Sequence, residues 1–446
     1  MSARPEDAPG GAGHGDSLFY RLLSRVVEVS PRELPALLWS WAYIFTVLSS
    51  YYVMRPIRDQ MGVAGGVKNL QWLFLGTLIC MLLLNVPFAG LVKTLPRSRF
   101  IPITYRFFAV SILLFAALFQ TADEASMVWL GRAFFIWISV FNLFVVSVFW
   151  ALIVDTFNSE DGKRLFGFIA AGATIGAITG SAVTATLAKH IPIAVLLIVA
   201  ALLLEVAVMC VRRLSRLSAA LNKRPAEGHA DAPIGGGVLS GITHAFRSGY
   251  LANIVIFMLL FSITSTFIYF QQADVVSRNF SDRGAQTAFF ASIDLAVNIV
   301  TLVIELFLTA RIMKAAGVGA TLAWLPLVTI AAFGTLALLP TLTALMIVQI
   351  ARRSSDYAIA RPTREVLYTV VPREDRYKAK SFIDTVVYRA GDQIGAWSFV
   401  LLTSFGMGLY QVAIAGSLLG LAWLGNALWL GRRQDRLARL SVPASR

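Results

Sequence analysis

Stretches of about 20 largely apolar residues, each long enough to cross a hydrocarbon core of about 30 Å, recur along nearly the whole chain. They fall at about 34–54, 69–92, 101–120, 133–154, 165–188 and 192–211, and again at about 250–271, 286–310, 318–338, 341–371, 377–402 and 409–430. Such segments must become helices, because a helix satisfies its own backbone polar groups where no water is available. Composition agrees: 14% of the 446 residues are charged, against roughly 25% in a soluble domain. The segment at 341–371 is unusual, being long, rich in arginine and interrupted by Pro362.

A net charge of +14 would suit a nucleic-acid partner, so the distribution of that charge decides the matter. With both termini on one side, 26 of the 39 lysines and arginines lie in the tails and loops of that side, 7 in the opposite loops and 6 inside spans. The skew is the positive-inside pattern of a multi-pass protein of a bacterial inner membrane with cytoplasmic N- and C-termini. It accounts for the basic charge and excludes nucleic acid as the partner. The basic loops also suit anionic membrane lipids.

The longest polar interruption, 212–249, divides the spans six and six. It opens on Arg212, Arg213 and Arg216 and contains Gly235-Gly236-Gly237. The expected organisation is a cytoplasmic tail (1–33), a six-helix bundle (34–211), a linker (212–249), a second bundle (250–430) and a basic tail (431–446). In the tail, Leu18, Phe19, Leu22, Leu23, Val26 and Val27 set against Arg21 and Arg25 read as an amphipathic helix on the membrane surface. No apolar region with a small-residue cleavage site follows the first 16 residues, so no cleavable signal is expected. Ser30-Pro31-Arg32-Glu33 reads as a capping box that starts the first span.

An internal repeat supports the division. Glu160-Asp161 and Phe168-Ile169 follow span 4; Glu374-Asp375 and Phe382-Ile383 follow span 10, at the same offset of 214. Both copies lie on one side of the membrane, so the halves repeat in parallel, the layout of the major facilitator architecture. The fold class is therefore an all-α polytopic membrane protein of about twelve transmembrane helices in two six-helix halves. Gly172, Gly176 and Gly180 in span 5, and Gly391 and Gly395 in span 11, are spaced four apart. They suit close helix packing, or seams along which the bundles rock.

Ionisable residues inside spans need a partner or a wet cavity. Arg389 lies well inside an apolar helix with Asp392 three residues on, and Asp294 is flanked by Phe290, Ile293, Leu295 and Val297. With Gln271, Gln272 and Asp274 they are candidates to line a central cavity. Guanidinium suits carboxylate or phosphate, and a buried acid can cycle its proton. Elsewhere structural readings compete: Glu205 snorkels or pairs with the basic end of its helix, Arg361 pairs with Glu365, and Arg55-Pro56-Ile57-Arg58-Asp59 caps span 1 at the outer surface. Cys80 and Cys210 sit in different spans, and His14, His190, His229 and His244 lack metal-ligand spacing, so neither a metal nor a cofactor is expected.

Three segments resemble the ATP/ADP carrier family of plastids and obligate intracellular bacteria, nucleotide exchangers with a major facilitator fold. They are Tyr51-Tyr52-Val53-Met54-Arg55-Pro56-Ile57-Arg58-Asp59, the hairpin from Phe149-Trp150 to Phe168, and the hairpin from Arg364-Glu365-Val366-Leu367-Tyr368 through Lys378-Ala379-Lys380-Ser381-Phe382-Ile383-Asp384 to Arg389-Ala390-Gly391. The departures change what the resemblance implies. Arg58 stands where the family has lysine, an acidic position in span 4 is apolar near Ile138, and the family's Arg-x-Gly-Lys becomes Arg389-Ala390-Gly391-Asp392. An anion thus replaces a cation expected to meet phosphate. The implied protein is a divergent carrier with an altered substrate.

The resulting expectation is a secondary transporter, not an enzyme, moving an anionic or zwitterionic small molecule by alternating access, with a counter-substrate or proton as its partner. Arg58, Arg389, Asp392, Asp294, Gln271 and Arg364 are the expected substrate residues, and Asp294, Asp392 and Glu305 the candidates for a coupling proton. A proton-coupled exporter of a metabolite or amphiphile fits the same residues. So does a non-transporting scaffold or receptor, in which Asp294 and Arg389 would form a locked ion pair.

Overall fold

In a computed structural model the apolar segments form helices whose length and order follow from their hydropathy. The structure describes residues 29–31, 33–94, 97–157, 159–221, 246, 248–372, 379–380 and 382–441. The amphipathic segment at 18–27, most of the linker and the polar part of the second repeat copy lie outside these residues.

Six helices form the first half: α1 (Leu34–Ala64), α2 (Leu70–Thr94), α3 (Arg97–Thr121), α4 (Glu124–Thr156), α5 (Ser159–Leu187) and α6 (Ile193–Leu221). The second half has α7 (Gly249–Asn279), α8 (Arg283–Phe307) and α9 (Thr309–Leu338), the last kinked where Gly317 adopts a φ of 73°. The tenth rod, α10, runs Leu342–Ser355, passes through a π-helical turn at Asp356–Ala360 and continues as Arg361–Leu367. A second π-helical turn, Ile383–Val387, leads into α11 (Tyr388–Ser404), and α12 is Leu409–Ser441. Among the described residues, ten of the helices are long and apolar enough to cross a membrane. The two that fall short, α10 and α11, carry the π turns and several charged residues.

Capping groups fix several starts. Ser30 N–H donates to Glu33 Oε2 at 2.9 Å, one arm of the expected capping box. The carboxylates of Asp123 and Asp282 accept from the backbone N–H of Ser126 and Ala285 at 3.2 and 2.6 Å. One boundary differs from expectation. Instead of ending near residue 54, α1 carries Pro56 within it and continues to Ala64, so Arg55, Arg58 and Asp59 lie inside the helix and not in a solvated cap.

Helix pairing repeats with the halves. In the first half α1 packs on α4, α5 and α6, and α3 on α6; in the second α7 packs on α10, α11 and α12, and α9 on α12. Adding six to each helix number converts one set into the other, as a parallel repeat requires. Across the halves α5 meets α8 and α2 meets α11, again related by six.

The glycine stripes close pairs within bundles. A Cβ on Gly176 or Gly180 would lie 2.4 Å from the carbonyl oxygen of Phe45 or Ser49 in α1, and one on Gly391 or Gly395 would meet Ser262 or Thr266 in α7 at 2.6 or 2.9 Å. Gly172 likewise faces Trp41 of α1. The alternative that these glycines form seams between bundles is corrected: they bring α5 onto α1 and α11 onto α7. Ser49 reinforces the first pair by donating to Gly176 O at 3.1 Å.

Among the described residues, Ala288 of α8 joins the first-half apolar cluster. The cluster to which each half contributes several residues sits at the end carrying the α1–α2 and α7–α8 turns. There Val63, Leu70, Leu73 and Phe135 pack with Phe267, Phe270, Phe290 and Leu345. At the end carrying both termini, the cluster around Tyr250, Leu367, Tyr368 and Ile383 belongs to the second half alone. Among the described residues, the apolar packing between the halves is thus concentrated at one end.

Candidate functional site: an arginine-rich cavity between the halves

Helical spacing sets the cavity wall. Arg55, Arg58 and Asp59 come three to four residues apart on α1, while Phe261, Ser265, Tyr269 and Gln272 form a stripe on α7. From α10 come Arg352, Arg353, Asp356, Tyr357 and Arg361, and from α11 Tyr388, Arg389, Asp392 and Gln393. With Phe74 and Thr77 of α2 and Phe135 and Ser139 of α4, they enclose about 240 Å³.

The π turn in α10 determines which charges meet. An α-helix stacks residue i on i+4, whereas a π turn carries one extra residue and stacks i on i+5. Arg361 N–H accordingly bonds to Asp356 O, and Arg361 Nε reaches Asp356 Oδ2 at 3.3 Å. The expected Arg361–Glu365 pair does not form; Glu365 is held by Lys380 Nζ at 2.5 Å.

Each remaining carboxylate has its own partners. Arg58 Nη2 lies 2.6 Å from Asp59 Oδ1, and Tyr269 OH donates to the same oxygen from the other half at 3.0 Å. Asp294, buried behind the wall, is shared by two cations: Arg353 Nη2 at 2.6 Å and Arg55 Nη1, from the first half, at 3.4 Å. Asp392 accepts from Ser262 Oγ at 2.6 Å and from Arg389 Nη1 at 3.3 Å. Arg352 donates to Ser265 Oγ and lies over the Phe261 ring at 5.8 Å. Other rings flank the guanidiniums: Phe135 is 5.0 Å from Arg58, and Tyr357 is 4.3 Å from Arg361. Aromatic faces favour cations while adding apolar surface to the wall.

Several sequence expectations meet here. Arg58, Arg389 and Asp392 line the cavity, and Asp294 stands directly behind it. Others are corrected. Gln271 is buried beside the cavity with no hydrogen-bond partner for either side-chain group, and its neighbour Gln272 faces the space, bonded to Gln349. Arg364 turns to Met258 Sδ at 3.1 Å, and Glu305 is exposed near the end of α8. Asp294 and Arg389 do not pair, so the locked pair of the scaffold reading is absent. Glu205 pairs with Arg106 of α3 at 3.2 Å on the outer surface and not with the basic end of its own helix. Arg55, Arg352, Arg353, Tyr357, Arg361 and Tyr388 also line the cavity and lie outside the expected substrate set. The polar stripe on α7 and the adjacent arginines of α10 were the signals that could have found the wall.

Two pseudosymmetric helical bundles enclosing a polar cavity define a membrane transporter fold. The chain belongs to the major facilitator superfamily, whose family model matches residues 25–352. No curated protein matches the chain. Among solved structures it is similar to a bacterial homologue of the human lysosomal transporter Spinster, inward-facing and unoccupied, at TM-score 0.55 and 14% identity over 92% of this chain and 98% of that one. It is similar to an inward-facing bacterial homologue of the iron transporter ferroportin at TM-score 0.62 and 12% identity, over 89% and 98%. A POT family transporter in complex with 5-aminolevulinic acid matches at 0.61 and 11%, over 90% and 96%. At these identities the likeness concerns the fold.

Proposed function

We propose that the chain is a secondary active transporter that carries a small organic anion by alternating access between its halves. The observation that carries this reading is the convergence of six arginines, from both halves, on one cavity at the bundle interface. Arg58 and Arg389 attract the substrate, joined by Arg55, Arg352, Arg353 and Arg361. Asp392 tunes specificity from its place beside Arg389, and Asp294 and Asp392 are the candidates for a coupling proton. The positive-inside skew supports a reading in which both termini face the cytoplasm of a bacterial cell and the end that carries the shared apolar cluster faces outside.

The substrate is smaller than a nucleoside polyphosphate. Pockets for drug-sized ligands span roughly 300–1,000 Å³, and about 240 Å³ lies below that range. Asp392, where the resembling carriers have lysine, opposes a polyphosphate as well. Exchange of nucleotides is therefore the less favoured member of the same class.

A thermal-stability screen of the purified, detergent-solubilised protein against carboxylates, phosphorylated metabolites and nucleotides tests the reading. A ligand at about 100 times its Kd stabilises the folded state by about 2.7 kcal/mol. Stabilisation by an organic anion that disappears in Arg389→Ala is expected. Stabilisation by ATP or ADP would restore the nucleotide carrier, and silence across all anions would remove the anion site.

A further inference from the structure

The charges of the cavity do not cancel, and where they fail to cancel is specific. Six arginines face four aspartates: Asp59, Asp356 and Asp392 each neutralise one cation (Arg58, Arg361 and Arg389), while Asp294 is divided between Arg55 and Arg353. Arg352 has a hydroxyl and an aromatic ring as neighbours; Asp356, the nearest carboxylate to act on it, is paired with Arg361, and among the described residues none lies at ion-pair distance from Arg352. Two positive charges remain in excess, one on Arg352 and one on the Arg55–Arg353 pair.

Hydrogen bonding gives the same division independently. The buried Nε–H groups of Arg55, Arg352 and Arg353 have no acceptor, and Arg353 Nη2 is close to Asp294 but out of hydrogen-bonding alignment. Arg58, Arg361 and Arg389 leave no such buried nitrogen. The unsatisfied donors therefore fall on the three arginines that carry the excess charge. Asp294 Oδ2 and Asp356 Oδ1 also lack a donor, so hydrogen bonding alone does not set the sign of the missing group. The two uncompensated cations do, because a buried charge without a counter-ion is costly, and the missing component is an acceptor bearing negative charge.

We propose that the cavity selects a dianion, a dicarboxylate or a phosphate monoester. One negative charge is met by Arg352 and the other by Arg55 and Arg353, whether the two lie on separate carboxylates or on the oxygens of one phosphate. This rests on the anion-transporter reading and adds the valence of the substrate. A monoanion leaves one cation unmatched; a trianion introduces one negative charge too many. Arg55 belongs to the first half and Arg352 and Arg353 to the second, so a dianion also ties the halves together.

The test is isothermal titration calorimetry on the purified full-length protein at constant ionic strength and pH 8. The probes are acetate and lactate as monoanions, succinate and glycerol 3-phosphate as dianions, and citrate as the trianion. In the wild type at least one dianion binds about tenfold or more tighter than the monoanions, a difference of about 1.4 kcal/mol; which of the two leads distinguishes carboxylate from phosphate. Arg352→Gln lowers the excess to one and removes that preference, whereas Arg352→Lys keeps the charge and the preference for dianions. Asp294→Asn raises the excess to three and moves the optimum toward citrate. If the anions bind within threefold of each other whatever their valence, or Arg352→Gln retains the dianion preference, the inference is overturned while the anion site stands. If folded wild-type protein binds none of the anions, both fail.

Discussion

Replacing Asp294 with asparagine would keep its shape and remove the charge that joins α1 to α8 and α10. Its carboxylate lies 2.6 Å from Arg353 and 3.4 Å from Arg55. At an effective dielectric of about 20 these separations correspond to roughly 6 and 5 kcal/mol of attraction, most of which offsets desolvation. Breaking a buried pair from one side costs about 3–5 kcal/mol, because the orphaned charge remains buried. Both arginines line a polar cavity and their side chains keep 16% and 14% exposure, so the lower end, about 3 kcal/mol, is expected. Arg55→Gln should cost far less, since it leaves Asp294 and Arg353 as a balanced pair. Combined, Arg55→Gln should recover about 1–2 kcal/mol of the Asp294→Asn loss, within the range of coupling energies for residues in contact. Reversible chemical denaturation of the four proteins in one detergent measures the cycle. Additivity within about 0.5 kcal/mol would refute the reasoning, because it would mean that the two halves are not joined through this carboxylate.

Other consequences follow from particular contacts. Gly176→Ala and Gly180→Ala place a methyl 2.4 Å from backbone oxygens of α1 and should each destabilise by about 1–3 kcal/mol in thermal unfolding, whereas Gly425→Ala, inside α12 with nothing within 4 Å, should stabilise by up to about 1 kcal/mol. Arg106→Leu strands Glu205 on the outer surface and should lower the melting temperature more than the double replacement Arg106→Leu/Glu205→Leu, measured in lipid nanodiscs. Tyr269→Phe removes the 3.0 Å hydrogen bond to Asp59 across the halves. It should cost about 1 kcal/mol and increase thiol labelling of a cysteine introduced at the end that carries the shared apolar cluster.

The twelve-rod plan was legible because hydropathy and charge asymmetry are properties of the chain itself. So were Arg389 and Asp392, whose i, i+3 spacing in an apolar helix marks them without tertiary information. The Arg55–Asp59 run was misread because proline and clustered charge usually end a helix, and here the second half supplies the partners that let α1 continue. The tenth span could not be read in detail: a π turn shifts every later residue by one position around the helix. That shift set Arg361 on Asp356, five residues back, in place of the expected pair with Glu365. Gln271 and Gln272 are adjacent and chemically identical, so only packing decides which faces the cavity. The sharing of Asp294 between Arg55 and Arg353 joins residues more than 200 positions apart and leaves no local signature.

Alternating access through this cavity requires the end that carries the shared apolar cluster to open. There a Cβ on Gly284 of α8 would lie 2.6 Å from Ala188 O at the end of α5. The decisive measurement is uptake of the bound anion into proteoliposomes by Lys189→Cys/Arg283→Cys protein, in which each cysteine lies one residue from that contact and Gly284 is kept, before and after crosslinking with a short thiol-cleavable reagent. The protein also carries Cys80→Ser and Cys210→Ser. Uptake should be lost on crosslinking, return on cleavage, and be absent throughout in Arg389→Ala. Full uptake by the crosslinked protein would contradict transport through an opening at this end.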